Sequence, residues 1–139
     1  MLARLIMVSV GRWGMGAFRL LMVDDNAVFR RLVAQYLGQT GMFARIDEAP
    51  GPQAAVCAAH THQPQIILLD LNLPGANGLD LIPALRAAAP GVKILVLSLW
   101  EAEQYRAAAQ SAGADAFVGK SSVHARLMGA ITALLPTAG

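Results

Sequence analysis

Cysteine is almost missing from this chain: its 139 residues include only Cys57. A lone thiol forms no internal disulfide, and Cys57 has no Cys or His partners at metal-site spacing, which excludes a disulfide scaffold and a structural zinc site. Its ordinary reading is a small apolar residue on a helix face, in a chain suited to a reducing, cytoplasmic compartment. Charge is scarce too, at 14% of residues against 55% hydrophobic ones. That balance is too apolar for a disordered chain. Yet no uncharged apolar run approaches the roughly 18 residues of a membrane-spanning helix. The short apolar block after Arg4 lacks the length and the small-residue cleavage site of a secretory signal. The eleven basic residues are scattered and leave a formal net charge of +2, so there is no basic stripe for direct nucleic-acid binding. The length fits one globular domain.

What the chain does have is alternation. Apolar runs of strand length stand at Phe18 to Val23, Gln65 to Leu69, Val92 to Leu97 and Ala116 to Val118, with a weaker run at Phe43 to Ile46. Segments of helical period separate them. Val28, Leu32, Val33, Tyr36 and Leu37 follow Asn26, a good N-cap. Gly51-Pro52 opens an Ala-rich second helix that Pro64 closes. Leu79, Ile82 and Leu85 mark a third, where Pro83 predicts a late start or a kink. Tyr105, Ala108, Ala109 and Ala112 mark a fourth, ended by Gly113, and Val123, Leu127, Ile131 and Leu134 a fifth. Strands apolar on both faces, separated by helices, predict an α/β fold: a doubly wound, five-stranded parallel sheet with five helices. Ligands of such sheets bind at the carboxyl ends of the strands.

Those ends carry a set of polar residues. Asp24 and Asp25 follow the first strand, Asp70 the third, Ser98 the fourth, and Gly119-Lys120 the fifth. Each alone reads as a turn former, a helix cap or a solvated lysine; their conjunction reads as a site. Three crowded carboxylates repel one another unless a cation neutralises them, and an all-oxygen set without His or Cys points to Mg2+ rather than zinc. Carboxylate, hydroxyl, ammonium and divalent metal together suit phosphoryl chemistry, with Asp70 as the nucleophile.

The stretches LLMVDDN (20–26), LLDLNLPGANGLDLI (68–82), ILVLS (94–98) and AGADAFVGK (112–120) resemble, in order and spacing, the receiver domain of two-component response regulators. The resemblance implies a flavodoxin-like fold with strand order 2-1-3-4-5. It implies phosphorylation of Asp70 by a sensor histidine kinase or phosphotransfer protein. Asp24, Asp25, Asp70 and the backbone carbonyl of Asn72 would hold Mg2+. Ser98 and Lys120 would bind the phosphoryl group, and Phe117 falls at the aromatic switch position, although a plain core aromatic fits it equally. The readout would be the face of helix four, strand five and helix five, with homodimerisation on phosphorylation open.

Some residues depart from the family pattern. Ser121 follows the lysine where proline is usual, as in receivers of LuxR/NarL-type regulators, which the stretches SLWEAEQY and GKSS also resemble. Leu99 is larger than the usual small residue, and Trp100 stands at a position that tunes phosphoryl lifetime in the family, so its bulk predicts slow loss of the phosphoryl group. The receiver would span 18–135. Residues 1–17 match no family element and are expected to be disordered or mis-started, with Met15 an alternative start. Only the tail 136–139 follows, so the chain reads as a stand-alone receiver or a fragment of a transcriptional regulator. The main alternative is a small Mg2+-dependent phosphohydrolase of the haloacid dehalogenase type, which needs an acid where Asn72 stands. A flavin or nucleotide binder would want a Gly- or Ser/Thr-rich phosphate loop where DDNAVF stands. On this resemblance the chain would be a switch rather than a turnover enzyme.

Overall fold

The computed structural model describes residues 16–73 and 75–136. The expectations for residues 1–15, for Pro74 as a shaper of the loop after Asp70, and for 137–139 lie outside these. The elements alternate as β1 (Phe18–Val23), α1 (Ala27–Gly38), β2 (Phe43–Ala49), α2 (Pro52–His62), β3 (Ile66–Asp70), α3 (Ile82–Ala88), β4 (Lys93–Ser98), α4 (Glu103–Ser111), β5 (Ala116–Gly119) and α5 (Val123–Leu134). The strands form one parallel sheet in the order β2-β1-β3-β4-β5, as expected.

Local chemistry explains the helix starts. The Asn26 side chain caps α1 by accepting a hydrogen bond from Phe29 N–H at 3.0 Å. Pro52 opens α2 directly after Gly51. Pro83 sits in the first turn of α3, where its missing N–H costs nothing, because a 3-10 turn over Gly78–Leu81 comes first. The late start is thus the correct one of the two expectations. Gly113, at φ 102°, turns the chain out of α4 in a conformation that disfavours other residues.

Period-two alternation then divides the core. Leu21, Val23, Ile67, Leu69 and Ile94 face α2 and α3, while Leu20, Met22, Ile66, Leu68, Leu95 and Leu97 face α1 and α5. Both sets are shielded from solvent, which is why these strands carry unbroken apolar runs. Helix α4 is held more lightly: among its residues only Ala109 is buried, against Leu71 and Val96.

Strand ends differ from the sequence reading by a few residues. β3, β4 and β5 run on to include Asp70, Ser98 and Gly119, and β2 continues to Ala49 through Asp47 and Glu48. β2 is an edge strand, where charged side chains are tolerated and even protective, so an apolar pattern understates its length. A two-residue antiparallel ladder, Asn72–Leu73 with Ala76–Asn77, fills the loop after Asp70. It has no sequence signal, being too short to show alternation.

That loop folds back tightly at Gly78, whose N–H donates to the Leu71 carbonyl at 2.9 Å. A Cβ there would meet the Asp70 carbonyl oxygen at 2.5 Å and Leu71 Cα at 2.9 Å, both backbone atoms that cannot step aside alone. Gly78→Ala is therefore expected to lower stability by about 2 kcal/mol or more, an overpacking cost read from a urea melt. An unchanged midpoint would show that the loop relaxes freely.

Candidate functional site

The register of the sheet builds the site. Val23 stands opposite Leu69, so the next residues, Asp24 and Asp70, lie side by side where the chain leaves β1 and β3. β1 and β3 are also where the strand order reverses direction, the switch point of a doubly wound sheet. Asp70 is opposite Leu97, and Ser98 opposite Gly119, which brings β4 and the start of the Lys120 turn to the same edge.

Four of the expected residues meet there. Asp24, Asp25 and Asp70 offer carboxylate oxygens within 4.8 Å of one another. Lys120 Nζ lies 2.8 Å from Asp24 Oδ2 and 3.5 Å from Asp70 Oδ1. Its side chain is only 12% exposed and its ammonium rests 4.5 Å from the centre of the Phe29 ring, so it is no solvated surface lysine. The sequence held no signal for Phe29, which belongs to α1 and meets Lys120 only because α1 and α5 share a face of the sheet.

The turn-former reading of the acids is also true in part. Asp24 Oδ1 accepts from Asn26 N–H at 2.8 Å, and Asp70 Oδ1 from Asn72 N–H at 3.2 Å. Each carboxylate is thereby oriented by its own backbone two residues on. The exposed Asn72 provides no acidic side chain.

Ser98 is fully buried and its Oγ accepts from Trp100 N–H at 2.9 Å. It does not cap the fourth helix, whose N-cap is Ala102. Phe117 lies away from the carboxylates, opposite Val96 on β5 and against Leu71, Val96 and Ala109. The Arg106 guanidinium sits 4.7 Å from its ring centre and donates to its carbonyl at 3.3 Å, a contact that nothing in the sequence announces. Leu99 is 68% and Trp100 48% exposed, and the Trp100 ring packs at a tilt against Tyr105, 5.2 Å between centres.

Electrostatically the site is under tension. Burial, and then the neighbouring Asp24 charge, push the Asp70 carboxyl up to about 6, against the pull of Asn72 N–H and the Lys120 ammonium. Asp24 Oδ2 is buried and paired with the Lys120 ammonium at 2.8 Å. Three carboxylates this close, against a single ammonium, fit a small divalent cation that takes oxygen ligands.

The tension has a pH signature. Between 3.8 and about 6 the folded chain holds a proton on Asp70 that the unfolded chain has released. Stability therefore falls as pH rises through that window, by up to about 3 kcal/mol for a shift of two units. In chelator, Asp70→Asn is expected to be more stable than the unsubstituted chain at pH 7, with the gain shrinking towards pH 4. Melting curves at both values test this, and an equal difference at both would exclude an ionisation origin.

With this geometry in view, known proteins place the chain. The nitrate/nitrite response regulator NarL of Escherichia coli is 32% identical over 101 residues, covering 73% of this chain and 47% of NarL. The chain spans about half or less of the length of the curated relatives it matches. A two-component response regulator of the LuxR family from Aurantimonas sp. superposes with a TM-score of 0.78 at 28% identity, covering 84% of each chain. A response regulator from Burkholderia pseudomallei, solved with a phosphorylated aspartic acid, calcium ion and citrate, superposes at 0.74 with 30% identity, covering 85% of this chain and 66% of that one. Residues 20–132 match the response regulator receiver domain, and the chain belongs to that family.

Proposed function

We propose that the chain is the phosphoryl-accepting switch of a phosphorelay, with Asp70 as acceptor. The observation that carries this is the buried Asp70 carboxylate held beside Asp24 and the Lys120 ammonium at the switch point of the sheet. The Asp70 oxygen attacks the phosphorus of a phosphohistidine on a sensor kinase or phosphotransfer protein; the bond to the donor imidazole breaks and the imidazole leaves. Lys120 stays within reach of the new dianion. Ser98, whose oxygen is occupied by Trp100 N–H, keeps its hydroxyl proton free to donate to it. Magnesium, held by Asp24, Asp25, Asp70 and the Asn72 carbonyl, would offset the charge that gathers on the phosphoryl oxygens. The phosphorylated aspartic acid and calcium ion of the Burkholderia relative support both assignments.

In this reading the unit spans 18–135 and acts as a cytoplasmic switch, not as a turnover enzyme. Ser98 and Phe117 carry the change to the face of α4, β5 and α5, which addresses a protein partner, a second copy of the chain or a DNA-binding output domain. A haloacid-dehalogenase-type hydrolase fits poorly, because the residue two beyond Asp70 is a neutral Asn.

Incubation with acetyl phosphate and Mg2+ is expected to add one phosphoryl group by intact mass, and Asp70→Asn to abolish the gain. No gain in the parent, or an undiminished gain in Asp70→Asn, would defeat the assignment. Trp100→Ala is expected to speed phosphoryl loss several-fold by clearing bulk beside Ser98. An unchanged decay rate would remove Trp100 from the control of lifetime.

A further inference from the structure

Two loops flank the mouth of the site: residues 99–102 between β4 and α4, and the 3-10 turn Lys120–Ser122 after β5. A side chain joins them. The Ser121 hydroxyl donates to Glu101 Oε2. The Glu101 carboxyl lies directly over Gly119, in space that a Cβ at that position would occupy. Gly119 stands opposite Ser98 in the β4/β5 register and immediately precedes Lys120. The Glu101 charge is therefore one strand away from Ser98 and adjacent to the turn that carries Lys120.

The loop it holds is connected at both ends. Ser98 Oγ accepts from Trp100 N–H at 2.9 Å, and the Trp100 ring packs at a tilt against Tyr105 of α4. Beyond that point α4 is anchored by a single buried side chain, Ala109. A tie at Glu101 thus restrains a segment otherwise held by Ala109 and by the Arg106 contacts with Phe117. Glu101 is also the one acid on either loop. A phosphoryl group on Asp70 adds nearly two negative charges to the same edge, and because Glu101 and Ser121 are both exposed the contact between them is weak enough for a modest like-charge repulsion to open.

We propose that Glu101 is a positioning residue whose carboxylate, held by the Ser121 hydroxyl, ties the Ser98 loop to the Lys120 turn until a phosphoryl group on Asp70 repels it. This rests on Asp70 as the phosphoacceptor and adds a release step between the new charge and α4. Ser121 supplies the donor through its hydroxyl.

Trp100 reports the loop. In a Trp13→Phe background it is the one remaining tryptophan, and its emission is read before and after treatment with acetyl phosphate and Mg2+, with occupancy from intact mass. The background protein is expected to change emission on phosphorylation. Ser121→Ala removes the tie, so its resting emission is expected to sit most of the way to the phosphorylated value. Glu101→Gln keeps an acceptor for Ser121 but lacks the charge, so it is expected to reach the same occupancy while losing at least half of the emission change. The proposal is overturned if the background protein is phosphorylated without an emission change, or if either variant matches it in both states at equal occupancy. If the background protein gains no phosphoryl group, the Asp70 assignment itself fails and this inference falls with it.

Discussion

Two carboxylates held side by side at the end of a buried sheet set the terms for the rest of this molecule. Asp24 and Asp70 are there because β1 and β3 pair in parallel, in a register that aligns Val23 with Leu69. Both side chains are almost wholly withdrawn from water. Left alone, they would repel and one would stay protonated, which is the direction in which Asp70 is displaced. The Lys120 ammonium offsets part of that cost, and the packing of α1 and α5 against one face delivers it to the carboxylates through the Phe29 ring. The apolar strands hold the charged ends together, at a standing cost in stability that an arriving cation or phosphoryl group can draw on.

The sheet is unevenly covered. α1, α2, α3 and α5 each bury two or more side chains, whereas α4 buries only Ala109. Asp70 is followed by Leu71 and pairs with Leu97 of β4, which leads into the loop from Ser98 to Glu101. Leu71 belongs to the same small cluster as Val96, Ala109 and Phe117, and the Ser98 loop runs directly into α4. Both routes lead to the least anchored helix. The Arg106 guanidinium, set over Phe117 and bonded to its carbonyl, and the Glu101–Ser121 bridge are the polar contacts that hold this region as it stands.

Membership of the receiver family accounts for the topology of the sheet. The exposed Leu99, the tilted Trp100–Tyr105 pair and the serine after Lys120 stand around the carboxylates. They cluster on the two loops beside the site and leave the carboxylates unaltered.

The amino-acid sequence by itself determined the architecture and most of the site. Unbroken apolar runs separated by helical periods specify a parallel sheet covered on both faces, and in such a sheet the residue after each strand must fall on one edge. Asp24, Asp70, Ser98 and Lys120 were legible for that reason. Only the tertiary structure decided how far each strand runs, because an edge strand such as β2 tolerates Asp47 and Glu48 through pairing rather than through an apolar pattern. It alone decided that Phe29 supports Lys120, that Arg106 covers Phe117 and that Glu101 reaches Ser121. Those pairs join different elements of the fold, between which neither periodicity nor spacing carries information about contact, and the packing of helices onto the sheet brings them together.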